Sequence, residues 1–133
     1  MGKRWEERLE DLEKAINRLE EAIEESKKVD FSTLKDGVIQ RFEFTLELSW
    51  KTLKHFLNSE GVEAATTPKS TVKEAFKLDV LKNIDIWLEM LDDRNLTSHI
   101  YNQAIAEEIY ERIVSRYCSE LRRNFEFLKA SEI

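Results

Sequence analysis

One cysteine, one proline and three glycines in 133 residues leave this chain with almost no covalent or conformational punctuation. Cys118 has no second thiol to join, so an internal disulfide is excluded. With so few turn-forming residues, a fold of many short strands linked by tight turns is excluded as well. No apolar run approaches the roughly 20 residues that a bilayer-crossing helix needs. The segment from Met1 to Arg8 is charged rather than apolar, and Glu6 occupies the place where a myristoylation signal needs Ser or Thr. A cytoplasmic protein with no membrane role is expected. Two histidines and one cysteine would make a zinc site lean on carboxylates, so no metal and no other cofactor is expected. A cationic surplus is lacking too. The formal charge of -6 opposes general binding to polyanions, so any RNA contact has to be local. The chain also has no Gly-rich phosphate loop and no Asp-x-Asp pair to hold the metal of a nucleotidyl transfer, so it cannot easily run that reaction alone.

What is present is charge and apolar residue in helical proportion, 36% and 41%. From Arg4 to about Lys28, Trp5, Leu9, Leu12, Ile16, Leu19 and Ile23 recur in steps of four and three, the seam of a helix. Asp30 to Thr33 reads as a connection. In the next stretch Phe42, Phe44, Leu46, Leu48 and Trp50 alternate with polar residues as a half-buried strand would. No turn signal interrupts Val38 to Ser59, however, and Leu46, Leu53, Phe56 and Leu57 continue at helical steps, so Leu34 to about Ser59 is predicted as a helix. Apolar residues on several of its sides make it the central one, roughly 40 Å long and ending at Gly61, where a left-handed cap costs little.

Ala64 to Lys69 is a polar connection, and either Thr67 before Pro68 or Thr71 with Glu74 can start the short helix that follows. A fourth helix begins after Asn83 with Ile84, Trp87, Leu88 and Leu91. Asn95, Thr97 and Ser98 compete for backbone hydrogen bonds, which predicts a break at residues 95 to 99 and a restart capped by Asn102. The last helix carries Ile105, Ile109, Ile113, Tyr117, Leu121, Phe125 and Leu128 and runs to about Lys129. The expected fold is all-α: one domain over residues 1–133, an up-and-down bundle of about five helices, three long and two short.

Most polar features on these helices read as bland. Trp5, Trp50 and Trp87 fall in apolar stripes and belong to the core. His55 reads as a rim histidine. Glu43, Glu47 and Lys51 read as a solvated stripe with an ion pair one turn apart, the lesser alternative being a buried Glu that faces the 91–101 segment, and Arg112, Arg116 and Arg123, with Glu108 and Glu120 close by, as a solvated face rather than a track for RNA. The exception is L-D-D-R-N-L-T-S-H-I-Y from Leu91 to Tyr101. Arg94 is a permanent planar cation suited to phosphate oxygens, and His99 carries a proton that moves near neutral pH. On an unbroken helix the two point about 140° apart, so the predicted break is what would let them converge. They could then position a phosphodiester for attack by its neighbouring 2′-hydroxyl without metal.

These residues, with R-F-E-F-T-L-E-L-S-W-K-T-L from Arg41 to Leu53 and K-E-A-F-K from Lys73 to Lys77, give nearly the whole chain a resemblance to the nucleotidyltransferase substrate-binding proteins of the HEPN superfamily. The superfamily pattern is Arg, four to six residues, then His, with Asn95 in its preferred polar position. The resemblance implies a homodimer that partners a small nucleotidyltransferase in a two-gene, toxin–antitoxin-like system, facing a nucleotide or RNA through a local cleft. In its substrate-binding form the bundle contributes surface, and Asp93, Asn95 and Thr97 support the motif. In its toxin form Arg94 and His99 cut RNA without metal, and Tyr101 accepts the AMP that silences them. A purely structural helical adaptor is the third expectation.

Overall fold

The computed structural model describes residues 4–99 and 102–132, with backbone alone at 4, 98 and 99. They form α1 (Arg4–Lys28), α2 (Ser32–Ser59), α3 (Pro68–Lys77), α4 (Ile84–His99), α5 (Gln103–Arg112), a π-helical turn (Ile113–Tyr117) and α6 (Cys118–Ala130), with no strand among the described residues. The last three run on without interruption as one rod, so the all-α bundle of three long and two short helices is observed. Among the described residues no helix is long and apolar enough to cross a membrane.

The apparent strand pattern of α2 resolves as helix because its buried residues recur at helical steps and fall on several sides. Phe42, Leu46, Leu53 and Leu57 are fully buried and Trp50 nearly so, while Phe44 stands 63% exposed, as a helical residue off the core face can. α1 lies along α2 in the opposite sense, and Trp5 at the start of α1 meets Phe56 near the end of α2 edge to face, ring centroids 5.0 Å apart. Leu12, Ile16 and Leu19 close the seam, each withdrawal from water contributing about 1.5–3 kcal/mol.

The helix ends follow local chemistry. Gly61, at φ 90°, ends α2 in a Schellman motif: the Val62 amide donates to Leu57 and the Gly61 amide to Asn58. Of the two candidate starts for α3, Thr67 is the cap. Its hydroxyl accepts from the Ser70 amide at 3.1 Å, the Ser70 hydroxyl accepts from the Thr67 amide at 2.9 Å, and Pro68 opens the helix. α3 closes in a second Schellman motif that sets Asp79 at φ 61°.

The predicted break at residues 95 to 99 does not occur: α4 is helical through His99. Competing side chains found partners that leave the helix intact. The Thr97 hydroxyl donates to the Arg94 carbonyl one turn back at 2.9 Å and also meets Glu43 of α2, while Asn95 stays exposed. The chain restarts where expected, with the Asn102 side chain accepting from the amides of Ala104 and Ile105 at 2.9 and 3.2 Å.

The π turn answers a packing problem. Ile109, Ile113, Tyr117, Leu121 and Phe125 all face the core at 2% exposure or less. Steps of four residues drift by about 40° each on a helix of 3.6 residues per turn, which would carry Phe125 about 160° from Ile109. One extra residue taken up in a π turn removes about 100° of that drift and keeps the stripe inward. Tyr117, at the end of the turn, stacks on Phe42 at 5.3 Å between centroids.

Candidate functional site

Two acidic residues of α2 receive the second half of α4. Glu47 Oε1 lies 3.2 Å from the Arg94 guanidinium and Glu47 Oε2 3.1 Å from Lys51 Nζ, and Glu43 accepts from the Thr97 hydroxyl. Both acids are half-buried. The reading of Glu43, Glu47 and Lys51 as a solvated stripe is therefore corrected: these carboxylates face the motif. A central helix that is apolar on several sides has no wide wet face, so its acids meet the cations and hydroxyls of a neighbour. Burial pushes the Glu47 carboxyl up, but hydrogen bonds from Lys51 and Trp50 and the charges of Arg94 and Lys51 outweigh it and hold it below its ordinary 4.5.

One residue earlier, Asp93 is buried at 6% exposure and anchored to the other side. Arg112 donates to it twice, from Nε at 2.8 Å and Nη2 at 3.0 Å, and the Tyr117 hydroxyl donates as well. Burial, then the bond to Asp93, pushes the Tyr117 phenol far up, and Asp93 raises Arg112 further above its ordinary value. Arg112 thus leaves the solvated face assigned to it. Arg116 and Arg123 keep that face, paired with Glu89 at 2.7 Å and Glu120 at 3.3 Å. Glu120 itself is buried, accepting from the Trp87 indole and the Asn83 amide at 3.0 Å each. Neither the Asp93 clamp nor the Glu120 site was anticipated, because both join residues far apart in sequence.

α4 is thus gripped on consecutive residues from two directions, Asp93 by the rod that holds α5 and α6, Arg94 by α2. The Arg94 side chain remains 37% exposed. One turn further along α4, at Thr97, a cleft of about 250 Å³ opens, with Asp36, Gln40 and Glu43 of α2 and the cap residue Asn102 as its polar lining and Ile39, Ile105, Ala106 and Ile109 as its apolar wall. Arg94 is not among its lining residues, so the arrangement presents a fixed planar cation one helical turn from a largely apolar cleft whose two carboxylates favour hydrogen-bond donors over bare phosphate.

Of the predicted site residues, Arg94 and Thr97 are brought together at the α2–α4 contact, while Asp93 faces the rod and is held by Arg112 and Tyr117. Asn95 is exposed and joins no side-chain bond among the described residues. The His99 side chain and all of Tyr101 lie outside the described residues. Because α4 is unbroken, positions 94 and 99 lie about 140° apart around its axis. Among the described residues no group of three His, Cys, Asp or Glu is arranged to hold a metal ion. His55 is half-buried, as a rim residue is. Cys118 is buried, and burial pushes its thiol up to about 11.

Three comparisons place this geometry among known proteins. A curated Haemophilus influenzae protein named probable ribonuclease HepT is 35% identical over 85 residues, covering 61% of this chain and 58% of that protein, so the match spans little more than half the relative's length. A Haemophilus influenzae structure, described as revealing the fold of a substrate binding domain of a nucleotidyltransferase, superposes with a TM-score of 0.81 at 29% identity, covering 91% of this chain and 98% of that one. A crystal structure of a Thermus thermophilus protein superposes with a TM-score of 0.72 at 31% identity, covering 90% and 97%. The family described as nucleotidyltransferase substrate binding protein like matches residues 7–130, and this chain belongs to it.

Proposed function

We propose that this chain is the substrate-binding partner of a small, separately encoded nucleotidyltransferase, paired with it in a toxin–antitoxin-like system in the cytoplasm. Residues 1–133 act as one domain. The observation that carries the reading is the clamped second half of α4, which holds the part-exposed Arg94 one helical turn from Thr97 at the edge of a cleft, in a chain of this family. A ligand phosphate would rest on Arg94, beside the exposed Asn95, while a hydroxyl or amine donor reaches past Thr97 into the cleft toward Glu43 and Asp36. Copurification of the chain with a small nucleotidyltransferase from the same genome, lost on Arg94→Glu, tests this; two proteins that elute separately at micromolar concentration would overturn it.

The second reading is a metal-independent ribonuclease, favoured by the intact Arg94 to His99 spacing and by the name of the HepT relative. Positions 94 and 99 diverge on one helix, so this reading calls for a homodimer with one cleft across the two-fold axis that takes Arg94 and His99 from both copies. The substrate 2′-oxygen attacks phosphorus and gives its proton to one imidazole. Arg94 stabilises the phosphorane, and the 5′-oxygen leaves with a proton from the other imidazole, giving a 2′,3′-cyclic phosphate and a 5′-hydroxyl. Tyr101 is then the AMP acceptor through which the transferase silences the site. Labelled RNA incubated in EDTA with wild type, His99→Ala and Arg94→Ala decides it: cleavage by wild type alone supports the nuclease. Intact RNA, with Tyr101 unmodified by mass spectrometry, leaves the substrate-binding reading.

A further inference from the structure

A groove of about 620 Å³ between α1 and α2 is larger than the cleft beside α4. Lys14 and Arg18 line it from α1, and Arg41 and Phe44 from α2; Asp11 is its single carboxylate. The two walls are built at helical spacing, with Asp11, Lys14 and Arg18 on one and Arg41, Phe44 and Leu48 on the other. In a chain of formal charge -6 this is a local reversal of sign.

Arg8 apart, the arginines outside the groove whose side chains are described are paired. Arg94, Arg112, Arg116, Arg122 and Arg123 all hold a carboxylate. Arg18 and Arg41 form no ion pair among the described residues, and both are exposed. Beside Arg41, one turn along α2, the phenyl ring of Phe44 is 63% exposed. Unpaired guanidinium groups next to a bare aromatic ring are what a single nucleic acid strand needs: cations for its phosphates and a flat apolar face for a base. Gln40 lines both this groove and the cleft beside α4, so the two hollows adjoin.

We infer that the α1–α2 groove binds single-stranded RNA, with Arg18 and Arg41 on successive phosphates and Phe44 under a base, and delivers the strand past Gln40 toward the cleft at Thr97. The inference rests on the RNA-facing side of the proposed function and needs nothing catalytic from Arg94 or His99. A second copy of this chain is a poorer occupant, since a two-fold contact would set a wall of three cations and one acid against itself. An acidic protein segment would satisfy the arginines but leaves the ring without a stacking partner.

The test uses a fluorescent 2′-O-methyl 12-mer, which lacks the attacking hydroxyl and stays intact, and follows its anisotropy with the full chain. Wild type should bind with an affinity that falls with salt at a log–log slope of about -0.7 per phosphate contacted. Arg18→Glu with Arg41→Glu should weaken binding at least tenfold and flatten that slope. Phe44→Ala should weaken it by about 5- to 150-fold with the slope unchanged, the signature of a lost base stack. All three positions are exposed, and thermal melts confirm folding. Equal binding by the double variant, displacement by polyglutamate as readily as by unlabelled 12-mer, or a change of sedimentation in the variants would each overturn the inference. RNA cut by wild type but held equally by the groove variants would sink the groove and spare the nuclease. Groove-dependent binding without cleavage would do the reverse.

Discussion

Asp93 and Arg112, nineteen residues apart, are joined by two parallel hydrogen bonds of 2.8 and 3.0 Å in a setting that leaves Asp93 almost no contact with water. A carboxylate so withdrawn depends on its cation, and the Tyr117 hydroxyl donates to it as a third partner. Because Asp93 precedes Arg94, this clamp fixes the azimuth of the helix that carries the candidate site.

Arg112→Ala should therefore destabilise the fold by about 3 kcal/mol, since a buried charge is left without its partner. Tyr117→Phe, which removes one bond and keeps the ring on Phe42, should cost about 1 kcal/mol. Replacing the pair together, Arg112→Met with Asp93→Leu, should recover most of the first loss. Urea unfolding of the four proteins reads all three values, and a double variant no more stable than Arg112→Ala would refute the charge-burial account.

Glu47 predicts a pH dependence. Its folded carboxyl titrates below the ordinary 4.5, so the stability it contributes is present in full above about pH 4.5 and lost as pH falls through the lower, folded value. Glu47→Gln should lower the melting temperature near pH 7 and make little difference near pH 3. Melting curves that stay parallel across that range would show that the ion pair with Arg94 carries no net stability.

Asp79 sits at φ 61° in an exposed left-handed cap, a conformation that costs an L-residue more than glycine. Asp79→Gly should stabilise by about 0.5–1 kcal/mol and raise the melting temperature by about 3 °C. An unchanged or lowered melt would mean that the αL position costs aspartate nothing here.

Asn124 is buried in α6, and neither atom of its amide has a hydrogen-bond partner among the described residues. Leucine, with the same branching and number of side-chain heavy atoms, removes that desolvation cost, so Asn124→Leu should stabilise by about 1–2 kcal/mol. Destabilisation in the same urea assay would mean that the amide does have a partner in solution.

The bundle was legible in the sequence because repeated apolar spacing encodes it many times over. The α2 helix survived its strand-like alternation because Leu53, Phe56 and Leu57 carry the helical period further than any strand reaches. Gly61 and Asn102 were legible because caps are local, whereas Thr67 and Thr71 both carried a start signal and only the structure separates them. The break expected at Asn95, Thr97 and Ser98 failed for the opposite reason. Whether a hydroxyl disrupts its helix depends on what else it can reach, and Glu43, 54 residues earlier, was out of view. The same blindness hid the Asp93 clamp. The inward aim of Glu43 and Glu47 was open in the sequence only as the lesser alternative to a solvated stripe, because periodicity gives the side of a helix and not what packs against it.

The π turn makes α5 and α6 independent in phase. α5 supplies Ile105 and Ala106 to the wall of the cleft beside α4, while α6 lies against α1. Deleting one residue inside Ile113–Tyr117 would rotate α5 by about 100° against α6, sweeping the cleft wall away while leaving the α6 seam in register. The turn is a vernier, a place where a single codon resets the angle of the site without touching the half of the rod that docks on α1.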